Sequence, residues 1–115
     1  MTIASHAPIY SPLGADPDFS DLVDMYVDEM PERATRLQEL FAAAAWDDLR
    51  RLAHQIKGAA GSYGFGQITP AAGRLEMSIM QAHSPAVIEA ELEALLSLCH
   101  AIRAGASPDA DFGAR

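Results

Sequence analysis

The 115-residue sequence is short of cysteine, of lysine and of long apolar runs, and each shortage excludes something. Cys99 is the only cysteine, so an intramolecular disulfide and a cysteine-based metal cluster are ruled out, and a reducing compartment, by default the cytoplasm, is expected. No apolar run approaches the roughly eighteen residues needed to cross a bilayer, so no membrane association is expected. Met1 to Ala15 has no positively charged start followed by an apolar stretch and does not resemble a secretory leader. Basic side chains are scarce: eight stand against sixteen acidic ones, a formal charge of −8. A field of that sign repels phosphate backbones and anionic lipid, which argues against nucleic acid as a partner. Lysine occurs once, as Lys57, and together with Arg50 and Arg51 it makes a local basic spot on an acidic chain.

What is present is helical spacing. A chain of this length suits one domain with a modest core. Met1 to Ala15 and Gly105 to Arg115 mix proline, glycine and small residues without an apolar period, and both ends (1–15 and 105–115) are expected to be loose. Between them five segments repeat apolar residues every three or four positions, and none alternates at period two long enough to make a strand. The first follows Asp16-Pro17 and places Phe19, Leu22, Val23, Tyr26, Val27 and Met30 on one face. Pro31 then sits where a new helix would start, followed by Ala34, Leu37, Leu40, Phe41 and Ala44. A third helix from about Asp47 turns Leu49, Leu52, Ala53, Ile56, Ala60 and Tyr63 inward. Thr69-Pro70 opens a fourth, with Ala72, Leu75 and Ile79 inward. Ser84-Pro85 opens a fifth, with Ile88, Leu92, Leu95, Cys99 and Ile102 inward and Gly105 as its C-terminal cap. The expected fold is all-α: an antiparallel four-helix bundle formed by the last four helices, with an additional N-terminal helix packed across one end.

One face of the third helix is unusual. On a helical wheel His54 lies roughly 140° from the centre of the apolar stripe, with Arg50, Gly58 and Gly61 within about 40° of it. Glycine inside a helix costs about 1 kcal/mol relative to alanine, and Ala59 and Ala60 show that alanine is used nearby. Two glycines beside an exposed imidazole suggest that a bulky partner must approach the ring closely. A neutral imidazole nitrogen is a competent nucleophile toward an activated phosphoryl group. Lys57, at i+3, can offset the charge on the phosphoryl oxygens. The glycines follow no strand, so there is no nucleotide-binding loop, and a phosphoryl group would have to arrive on another protein.

The run His54-Gln55-Ile56-Lys57-Gly58-Ala59-Ala60-Gly61-Ser62-Tyr63-Gly64 resembles the signature of histidine phosphotransfer domains. The flanks Trp46-Asp47-Asp48-Leu49-Arg50-Arg51-Leu52-Ala53 and Ala72-Gly73-Arg74-Leu75-Glu76 are similar to that family's pattern too, so the resemblance covers about residues 16–104. It implies that His54 is phosphorylated by the aspartyl phosphate of a receiver domain, within a hybrid sensor kinase or alone, and passes the group to a response regulator. Magnesium would be held by the receiver, and the chain itself would be a stoichiometric carrier with no cofactor or nucleotide site. By the same resemblance Lys57 is the charge partner of the phosphohistidine, Gly58 gives the receiver room, and Gly64 ends the helix or allows its tight exit. Gln55 and Phe65 are then rim contacts. Family members often carry a polar residue on the next helix near the histidine, and Glu76 occupies the comparable place. A carboxylate there would repel a phosphoryl group, which sets its charge against an orienting role.

His6, His83 and His100 read as bystanders, and no histidine pair has zinc-ligand spacing. Arg50 and Arg51 either steer an acidic receiver toward His54 or simply solubilise the helix. Trp46 is expected to pack at the junction of the second and third helices, and Cys99 to be inert core. A helical adaptor that keeps the receiver-binding face without carrying phosphate is the competing function. The first domain of a larger kinase is a weaker one, disfavoured by length, and a monomer is expected.

Overall fold

The computed structural model describes residues 6–107. Four helices form the body: α1 (Ser20–Ala42), α2 (Trp46–Ser62), α3 (Ile68–Met80) and α4 (Pro85–Ala101). Helix α1 packs on α2 and α4, and α3 packs on the same two, so the four close a ring around one core. Short turns join successive helices, and none of the helices is long and apolar enough to cross a membrane.

The separate N-terminal helix expected from Pro31 does not exist. Its residues and those of the next segment form the single helix α1, with Pro31 inside it. The buried residues Val23, Tyr26, Met30, Ala34, Leu37 and Leu40 follow one another at helical spacing straight across Pro31. Proline removes one helical hydrogen bond, and Pro31 lies on the exposed face, where water can satisfy the freed carbonyl. Phe19 and Leu22, expected inward, are exposed, because the buried stripe runs through Val23 and Tyr26.

Three helices end in the same way. After α2, Gly64 N–H donates to Gly61 O at 3.1 Å and Phe65 N–H to Ala60 O at 2.9 Å, the paired bonds of a Schellman turn. Helices α1 and α3 close with equivalent bonds around Ala44 and Ala82, each with φ 54°. Ala44 is therefore a turn residue outside α1, although its spacing suggested the helix interior. In the turn after α2 the chain folds Phe65 inward, where it is fully buried against Tyr26 with ring centroids 6.0 Å apart.

Residues 9–15 are not the loose chain that their composition suggests. Ile9–Tyr10 (β1) pairs in parallel with Ile102–Arg103 (β2), and a 3-10 turn follows at Pro12–Ala15. Ser11 is buried; its hydroxyl donates to Tyr63 O at 2.6 Å and accepts from Leu13 N–H. The segment thus satisfies a carbonyl at the end of α2 that the helix itself cannot. Helix α4 stops at Ala101, so Ile102 is buried as part of β2, and Gly105 is not a helix cap. Residues 1–5 and 108–115, the rest of the expected tails, lie outside the described residues.

Trp46 packs edge-on against Phe41, 5.6 Å between centroids, at the α1–α2 junction as expected. Cys99 is buried, and burial pushes its thiol up to about 12, so it stays protonated at neutral pH.

Candidate functional site

The inward stripe of α2, Leu49, Ala53, Ile56 and Ala60, fixes the helix's rotation and turns His54 outward. The imidazole side chain is 63% exposed. Its Nδ1 lies 2.8 Å from Glu76 Oε2, and Lys57 Nζ lies 2.7 Å from Glu76 Oε1. One carboxylate from α3 therefore holds both the histidine and the lysine of α2. Glu76 is itself buried.

The Lys57 hydrogen bond draws the Glu76 carboxyl below the usual carboxylate range; burial works against it, and the His54 bond adds to it. Glu76 is accordingly ionised at neutral pH and can only accept hydrogen bonds. The proton between the two side chains lies on the ring, and Nδ1–H is the donor. Nε2 has no partner among the described residues and points its lone pair outward. A carboxyl lowered on folding stabilises the fold above the ordinary carboxylate range and loses that contribution as pH falls through its depressed value.

Small residues keep this face open. A Cβ placed on Gly58 would meet nothing within 4 Å, and one on Gly61 only Thr69 Oγ1 at 3.6 Å. Gly73, one turn before Glu76 on α3, lies beside the lysine stem: a Cβ there would stand 3.4 Å from Lys57 Cδ, an ordinary packing contact. Thr69 Oγ1 donates to Lys57 O at 3.1 Å and ties the start of α3 to the same turn of α2. Gly64, with φ 84°, makes the tight exit from α2.

The other residues singled out by sequence fall differently. Arg50 and Arg51 both reach Asp47, at 2.9 and 3.0 Å, and the Arg50 hydrogen bond lowers the Asp47 carboxyl. Gln55 is exposed on the opposite flank from Glu76, in an open groove of about 320 Å³ shared with Arg36, Leu40, Asp48, Arg51 and Leu52. Phe65 is not a rim contact, because the Schellman turn buries it completely.

Two methionines of α3 that the sequence did not single out, Met77 and Met80, are 49% and 59% exposed. Met80 follows Glu76 by four residues, one turn further along α3, and so lies on the same side of that helix as Glu76. That spacing from Glu76 was the available signal. Among the described residues no group of three or more His, Cys, Asp or Glu side chains could hold a metal ion.

The family model described as Hpt domain matches residues 21–105, most of the chain and all four helices apart from the first residue of α1. Neither the curated proteins nor the solved structures contain a significant match. A helical bundle matched over that length to this model belongs to the Hpt domain family, the phosphocarrier modules of two-component phosphorelays.

Proposed function

We propose that the chain takes a phosphoryl group onto His54 from the aspartyl phosphate of a receiver domain and delivers it to the aspartate of a response regulator. The observation that carries this reading is the His54 ring, exposed, with one nitrogen engaged by Glu76 and the other free above a face lacking side chains at Gly58. A nucleophile must present a lone pair at a fixed angle to a bulky donor, and this arrangement does both. Lys57, one turn away, supplies positive charge for the equatorial phosphoryl oxygens, which carry the charge of the transition state. Magnesium in the exchange belongs to the receiver. Met80 gives the face an exposed apolar side chain on which the receiver can bury surface, and Arg50 adds positive charge at its edge.

The reading is tested by mixing the chain with receiver domains, including those of hybrid sensor kinases, phosphorylated in the presence of magnesium. The expected result is acid-labile, alkali-stable label on the chain that a second receiver removes. An adaptor would bind a receiver and stay unlabelled, and that outcome would replace the carrier reading.

Gly58→Gln separates access from stability. A Cβ at position 58 meets nothing within 4 Å and glutamine favours helix, so stability should rise by about 0.5–1 kcal/mol. A side chain in the approach path displaces the incoming aspartate, and phosphoryl exchange should slow about tenfold or more. Thermal unfolding and rapid-mixing transfer assays read the two effects; unchanged exchange would show that the open face is not the docking path.

A further inference from the structure

A phosphoryl group on His54 brings about two negative charges to the face of α2. The one ammonium beside it is already engaged, with Lys57 Nζ 2.7 Å from Glu76 Oε1. A second cation stands one turn before His54 on the same side of the helix. Arg50, at i−4, is bonded through Nη2 to Asp47 Oδ1 at 2.9 Å, and Asp47 meets Arg51 with its other oxygen at 3.0 Å. We infer that Arg50 is a ligand of the phosphoryl group, which leaves Asp47 for the phosphohistidine when His54 is loaded, and that Asp47 holds it aside in the unloaded state. The inference rests on His54 being the phosphoryl carrier.

Helix geometry puts the two side chains within reach. Residues four apart have Cβ atoms about 5–6 Å from each other. Side chains lean toward the helix N-terminus, so the His54 ring covers the turn that carries Arg50. The guanidinium then has to swing only from the turn before its own to a group above it. Its fork of N–H donors matches phosphoryl oxygens, which can take two parallel bonds. The bond given up is a surface one, since Asp47 is exposed, and such pairs hold weakly. Asp47 is not stranded by the exchange, because its contact with Arg51 remains. No proton moves: one anionic partner of the guanidinium replaces another. The hold on Arg50 is visible at Asp47, whose carboxyl is drawn below its usual range first by the Arg50 hydrogen bond and next by the Arg51 charge.

The other charges around the ring are engaged elsewhere. Arg51 lines the groove with Gln55 and with Arg36 of α1. On α3, Glu76 meets the ring at Nδ1, away from the nitrogen that reacts, and Arg74 is paired with Glu91 of α4 at 3.3 Å.

A ligand and a steering charge leave different marks. A charge that only guides the receiver speeds loading and unloading alike and leaves the equilibrium between the two free proteins untouched. A ligand of the loaded state shifts that equilibrium. The test therefore compares the full chain with Arg50→Gln, Arg51→Gln, Asp47→Asn and the Arg50→Gln/Asp47→Asn pair. Each is mixed with a phosphorylated receiver domain, dilute enough that complexes are scarce, and the ratio of label on the chain to label on the receiver is read at equilibrium. Arg50→Gln should lower that ratio about tenfold, the loss of one charge-assisted contact. Arg51→Gln should leave it within about twofold, whatever it does to the rates. Asp47→Asn should raise the ratio while Arg50 is present and have no effect in the double variant, because it acts through Arg50. Phosphorus NMR of chain loaded with phosphoramidate gives an independent reading: the phosphoryl group should lose its last proton at a pH about one unit higher in Arg50→Gln. Slower exchange with an unchanged ratio would make Arg50 a steering charge and overturn the inference. Equal losses in Arg50→Gln and Arg51→Gln would overturn it too, as the mark of a diffuse field. Both outcomes leave His54 as the carrier. Failure of phosphoramidate and of a phosphorylated receiver to load His54 in the unaltered protein would remove the carrier reading, and this inference with it.

Discussion

His54→Gln is expected to abolish phosphoryl uptake from any receiver while leaving stability within about 0.5 kcal/mol of the starting protein, as for most surface substitutions. Glutamine has a similar reach and can still donate to Glu76, so the Glu76–Lys57 pair keeps its surroundings. What disappears is the nucleophilic lone pair at Nε2. The control lies in the chain itself, because His6, His83 and His100 are also exposed. Exposure alone therefore does not select a site. His54 differs in having a buried carboxylate on one ring nitrogen, an ammonium on the same carboxylate, and open space at Gly58. Label persisting in the variant, measured after mixing with a phosphorylated receiver, would move the site elsewhere.

Gly64→Ala is expected to cost about 2–5 kcal/mol, through left-handed strain of about 1–2 and overpacking of about 1–3. The three Schellman turns make the argument internally. Ala44 and Ala82 hold the same left-handed conformation, so the fold tolerates that strain at two of its three turns. Gly64 differs in what lies above it: a Cβ there would collide with Ser11 Oγ and crowd Pro12 Cδ at 3.2 Å. Ser11 cannot withdraw without giving up its bond to Tyr63 O. Ala82→Gly should move the other way, gaining about 0.5–1 kcal/mol from relief of strain less the added freedom of the unfolded chain. Chemical denaturation of the two variants checks both signs, and equal effects would show that contact with the N-terminal segment is not what requires glycine at 64.

Much of the bundle was legible because apolar spacing is a local signal that packing preserves. The stripes of α2, α3 and α4 are buried largely where spacing placed them. Pro31 misled because a rule about one residue was set against a stripe that runs in phase from Val23 to Leu40, and the stripe prevails where proline faces water. Phe65 misled because it adjoins the His54 motif in sequence, whereas the turn at Gly64 reverses the chain and carries it into the core. The N-terminal segment was illegible for a different reason. Its two-residue strand is too short to show a period, and its partners, Ile102, Arg103 and Tyr63, are far away in sequence.

The site itself divides along the same line. His54, Lys57 and Gly58 share one helix, and spacing alone brings them together. Glu76 is twenty-two residues away, and its charge was weighed against a phosphoryl group without the lysine that shares it.

The most direct test of the central claim is phosphorus–nitrogen NMR on nitrogen-labelled chain loaded by a phosphorylated receiver. The account predicts a one-bond coupling from a single phosphorus to Nε2 of His54, with Nδ1 still protonated. Coupling to Nδ1, to another histidine's ring, or to no nitrogen at all would contradict it.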